Sequence, residues 1–146
     1  MDYETISVIV SSGDHSATGS ASHFTCPIAI PLSFEGKWQC RVMNISFPNP
    51  NASGDTTSNS VFVFGSGLIE SSSVGSSTLP MLFRVPPLDK ENHSVNLYVA
   101  DMSPSPLWHD VIVSLVSQID IQIVESTGGA IPDGFSTVQL VFRRIA

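Results

Sequence analysis

The tightest constraint in this sequence is the two-residue period of residues 115–124. Leu115, Ile119, Ile121 and Ile123 fall on one face, and Gln118, Asp120 and Gln122 on the other. Side chains alternate in this way only on an extended backbone, so the stretch predicts a half-buried strand and excludes an amphipathic helix. Residues 136–145 repeat the pattern, with Val138, Leu140 and Phe142 alternating against Thr137, Gln139 and Arg143. The connector between them, STGGAIPDG, is rich in turn formers. It lets these two strands either pair directly or cross from one sheet to another.

Further strands are predicted over 3–10, 22–30, 37–47, 61–64, 79–85 and 94–99, which makes eight. Within 37–47 the apolar phase changes: Trp38, Cys40 and Val42 share one parity, and Met43, Ile45 and Phe47 take the other. One extra residue resets which side points inward, so a β-bulge is expected near Val42. The run Val61, Phe62, Val63, Phe64 has no polar side and should be covered on both, with a neighbouring subunit as one candidate cover. Residues 106–113 are the exception to the extended pattern. There Leu107, Trp108, Val111 and Ile112 follow a proline at helical spacing, predicting one or two helical turns. The Ser-rich stretch 71–77 reads as a flexible loop, and 48–60 and 66–78 as long loops. Eight strands with such connections favour an all-β, antiparallel sandwich over a meander barrel, and its eight-stranded, two-Greek-key form is the jelly roll.

Size and charge narrow the functional classes. A chain of 146 residues makes one domain, 1–146, large enough to bury a core without a disulfide or metal. Thirteen acids against six basic residues give a net charge of −7, leaving no basic surface for phosphates, so nucleic acid is not an expected partner. No apolar run approaches the roughly 20 residues of a helical membrane span, and the start of the chain lacks the pattern of a secretory signal. Cys26 and Cys40 lie in apolar segments and read as buried thiols acting as small hydrophobes. The sequons at Asn44, Asn51 and Asn92 carry little weight without an export signal. Charged residues make up 13% of the chain, about half the usual share, which points to a surface that works against other proteins.

Chemistry is hard to find in the spacing, and no catalytic, cofactor-binding or metal site is expected. Ser66 in Gly65-Ser66-Gly67 lacks the nucleophile-elbow pattern. His15, His23, His93 and His109 are scattered singly, and His23 with Cys26 and Cys40 offers three soft ligands where a structural zinc takes four. Glu35, Glu70, Asp89, Glu91, Asp101 and Asp133 read as single acids near turns rather than a glycosidase pair. Phosphate-cradling Gly-rich loops are absent from the sequence. Trp38, Trp108 and Tyr98 could stack on a sugar, but Trp38 opens a strand with core alternation and belongs inside.

Residues 30–48 read IPLSFEGKWQCRVMNISFP and resemble the "PL-x-L-x-G-x-W-x-V-x-L-x-x-I-x-(F/Y)-P" stretch of single jelly-roll capsid proteins of polinton-like viruses, virophages and large icosahedral DNA viruses. Residues 119–144, IDIQIVESTGGAIPDGFSTVQLVFRR, are similar to the last two strands of those proteins. The resemblance implies a single jelly roll acting as a viral structural protein, the penton. That role is a homopentameric ring at the icosahedral capsid vertices, contacting neighbouring major and minor capsid proteins. It also implies a place in the virion, after synthesis in the host cell cytoplasm, with no enzymatic activity and no cofactor. A minor capsid protein of the same viruses is the near alternative. A carbohydrate-binding jelly-roll module using Trp108, Tyr98 or His109 on exposed loops is the more distant one.

Overall fold

The computed structural model describes residues 4–48, 61–85, 97–101 (backbone), 107–125 and 129–146. Among them are twelve strands and no helix: β1 (Thr5–Ser11), β2 (Thr18–Gly19), β3 (His23–Ser33), β4 (Trp38–Pro48), β5 (Val61–Ser66), β6 (Ser72–Val74), β7 (Ser77–Leu79), β8 (Met81–Val85), β9 (Leu97–Asp101), β10 (His109–Asp110), β11 (Leu115–Glu125) and β12 (Thr137–Arg144). The first sheet runs β1-β12-β4, with β10 pairing the first half of β4 and β9 the second half. The second runs β2-β3-β11-β5-β8, and every pairing is antiparallel.

The inward residues of both sheets merge into one core, as in a β-sandwich. Val10, Trp38, Cys40, Val42, Ile45, Phe47, Val138, Leu140 and Phe142 come from the first sheet, and Phe24, Cys26, Val61, Val63, Leu82, Val116, Ile119, Ile121 and Ile123 from the second. The alternation of 115–124 and 136–145 is therefore the cause of their placement, since burying one face of each strand removes most of its apolar area from water. The two strands do not pair. β11 lies between β3 and β5, and β12 between β1 and β4, so their connection crosses between sheets. Two buried serines pin that crossing: Ser22 Oγ accepts from Ile131 N at 2.8 Å, and Ser136 Oγ donates to Ala21 O at 2.8 Å.

Bulges reset the phase of the strands. Leu140 pairs with Val42 and Gln139 with Asn44, leaving Met43 as the extra residue that accounts for the phase switch in β4. In β3 the register jumps from Leu32 opposite Val116 to Pro27 opposite Gln118, so residues 28–31 loop out of the ladder. That jump turns Leu115 outward, 61% exposed, and buries Val116 in its place, correcting the expected inward Leu115.

Three other expectations change. The helix over 106–113 does not form. Residues 107–108 are irregular, His109–Asp110 pair with β4, and Val111 bridges Ile69, because the open edge of β4 offers backbone partners that a two-turn helix would forgo. Pro106 itself lies outside the described residues. Strand 79–85 breaks at Pro80 into β7 and β8. The Ser-rich stretch is a hairpin rather than a loop: β6 pairs with β7 around Gly75-Ser76, and Gly75 at φ +60° supplies the positive φ that such a two-residue turn requires. Val74 and Leu79 of this hairpin line a groove with Phe62 and Phe64, so within the chain it is the hairpin that covers the outer side of β5. Residues 49–60, most of the expected 48–60 loop, lie outside the described residues, as do 94–96 of the strand expected over 94–99.

Candidate functional site

The sandwich separates the residues that the sequence offered for chemistry. His23 points outward from β3, where its Nε2 lies 3.0 Å from both Asp120 carboxylate oxygens and Thr25 Oγ1 donates to Asp120 Oδ2 at 2.8 Å. Cys26, three residues on, has the opposite parity and is buried, as is Cys40 on the other sheet. Three potential soft ligands thus point in different directions, and no group of three or more His, Cys, Asp or Glu side chains converges among the described residues. Burial pushes the Cys40 thiol far above its ordinary range, which keeps it protonated and unreactive. His15 is exposed in a turn, while His93, Asp89 and Glu91 lie outside the described residues.

The sugar-stacking trio is likewise dispersed. Trp38 is 5% exposed, meets Phe34 edge-on at 5.3 Å and donates from Nε1 to Glu35 O at 2.8 Å. His109, placed on an exposed loop by the carbohydrate reading, is instead buried. Its Nε2 donates to Leu82 O at 2.9 Å, a hydrogen bond that ties β10 of one sheet to β8 of the other. Trp108 is half-buried, with the Arg143 guanidinium 3.9 Å and that of Arg41 5.1 Å from its ring centroid. The indole is engaged by the protein's own cations. The side chain of Tyr98 lies outside the described residues.

What the structure does assemble is a chain of polar side chains on one sheet face. On the outer face of the first sheet Arg143 donates twice to Gln39 Oε1, at 3.0 and 2.7 Å, and Gln39 Nε2 donates to Asp110 Oδ1 at 3.1 Å. Beside this chain, Asn44 Nδ2 donates to Gln139 Oε1, and Gln139 Nε2 to Ser7 Oγ at 2.9 Å. These links tie neighbouring strands together across the face. Several large apolar side chains are left in water, among them Ile9, Ile30, Leu107, Ile112, Leu115 and Phe135. The polar network was missed from the sequence, because its members are single Gln, Asn and Ser residues that only the register brings together. Its one visible sign is that they occupy the outward parity of their strands.

The chain matches no protein-family model, and no curated protein matches it.

Proposed function

We propose that the chain is a single jelly roll serving as a structural subunit of a viral capsid, the penton that closes a fivefold vertex. The observation that carries this reading is strand order. The eight strands of five residues or more lie in two four-stranded runs, β1-β12-β4-β9 and β3-β11-β5-β8, as expected of two interlocked Greek keys. The stretches that resemble the capsid family fall within that order, 30–48 on the end of β3 and β4, and 119–144 on β11 and β12. A closed ring needs two different adhesive patches on each subunit. Exposed Leu107, Ile112, Leu115 and Phe135, on a chain with so little charge, are suitable material for them.

The test is the solution mass by native mass spectrometry. Five chains of 15.6 kDa make a ring of about 78 kDa, and that species is the expected result. A chain that stays monomeric, and that labelled antibodies find away from the vertices of intact particles, overturns the penton role and moves the protein to a minor capsid position.

A further inference from the structure

Strand β1 borders the first sheet, and its second side faces no strand among the described residues. The ends of its ladder with β12 fix which backbone groups are engaged. Arg144 N donates to Glu4 O and Ser12 N to Ser136 O, so Glu4, Ile6, Val8, Val10 and Ser12 direct their groups at β12. Thr5, Ser7 and Ile9 therefore turn both N–H and C=O outward, together with the N–H of Ser11, whose carbonyl accepts from Asp14 N. Natural edges of this length are blunted by charge, proline or a bulge. TISVIVS carries no charge and no proline, and its register is unbroken. Alongside it runs a groove of about 410 Å³ floored by Ile6, Val8, Ile28 and Leu32, with Ile30 of the looped-out β3 segment, 77% exposed, on its rim.

We propose that β1 pairs antiparallel with β1 of a second copy of this chain across a two-fold axis, joining the two first sheets and packing the two grooves together. Charge confines a second copy to the neutral edge. Each copy carries −7, so self-association is costly wherever acids meet, and β1 is an uncharged seven-residue seam. Among the described residues, Asp14 is the one charged residue lining the groove. Antiparallel pairing sends the two copies of it to opposite ends of the ribbon, ~24 Å or more apart at ~3.4 Å per residue and beyond the ~8 Å Debye length. The seam is also self-matching. With the axis beside Ser7, the outward N–H groups of Thr5, Ser7 and Ile9 each meet an outward C=O of the other copy, and Ile9 of each copy lies against Thr5 of the other.

This inference does not rest on the ring reading, since the ring is scored by a factor of five in mass and the seam by a factor of two. Two variants test it by native mass spectrometry. Ser7→Pro removes an outward N–H and spares the backbone ladder with β12, losing only the Gln139 Nε2–Ser7 Oγ hydrogen bond, and Ile9→Lys sets a charge beside the seam. The wild type should populate pairs, about 31 kDa for two chains or about 156 kDa for two rings of five. Both variants should lose them, with the dissociation constant raised at least tenfold, while circular dichroism stays unchanged and Thr78→Lys, on the exposed β6–β7 hairpin, behaves as wild type. Absence of paired species in the wild type at about 100 µM, or pairs that survive both substitutions, overturns the proposal. So does a wild type that lacks pairs but binds a strand peptide of unrelated sequence, which would assign the edge to a foreign strand.

Discussion

Single residues anchor the sandwich by burial and by satisfied polar atoms. Trp38 fills the end of the core against Phe34, so Trp38→Ala should cost about 3–5 kcal/mol in denaturant unfolding; a loss under 1 kcal/mol would place the indole at the surface. His109→Leu should cost about 1–3 kcal/mol, because the buried Leu82 carbonyl loses its donor while the volume stays similar. Cys40 adds a pH dependence whose sign follows from its raised folded-state pKa. Below the ordinary value of 9.0 the thiol is protonated in both states and stability is flat. Above it the unfolded chain loses the proton and the folded one does not, so stability falls by up to ~1.4 kcal/mol per pH unit. Urea titrations at pH 8, 9 and 10 should show that decline in the wild type, with less of it in Cys40→Ala. Trp38 was legible in the sequence because core alternation flanks it. His109 was not, since its burial depends on Leu82, 27 residues away.

Elements were legible where a strand's own two-residue period was long, as in β11 and β12. They were illegible where a partner decides. The bulge at Met43 showed as a phase change because β4 itself carries the extra residue. The jump in β3 left no such mark in β11, yet it turned Leu115 outward. The false helix over 106–113 had helical spacing over two turns, too short to outweigh the free edge of β4. The β6–β7 hairpin looked like a Ser-rich loop because its strands are three residues each and its sheet holds only those two. A lone two-stranded ribbon is marginal in water, so its order depends on Val74 and Leu79 against Phe62 and Phe64. Gly75→Val should strain the positive-φ turn without a clash, since a Cβ there meets open space. Hydrogen exchange should quicken at Ser72–Leu79 while the thermal midpoint moves little; unchanged protection there would show that the turn does not limit the hairpin.

At the scale of the whole molecule, all-β character and two antiparallel sheets follow from the spacing of apolar residues, whereas strand order does not, because nothing local says that the first strand seeks the last. Any assembly should rest on apolar contact and neutral hydrogen bonds, given 13% charged residues. Raising salt from 50 to 500 mM should therefore shift dissociation of the oligomer less than threefold in analytical ultracentrifugation, and a steep dependence would point to ion pairs at the interface.

The pairing of β1 with β12 also orders events in time. Thr5 meets Arg143 and Ser11 meets Thr137, so a growing chain on the ribosome carries β1 unpaired until β12, at least 126 residues further along, has been made. The first sheet closes last and by its most distant contact, and folding that waits on such contacts is slow, on the order of milliseconds to seconds. During that interval the uncharged edge of β1 has no native neighbour on either side, and the newborn chain is at its most exposed to chaperones and to other copies of itself.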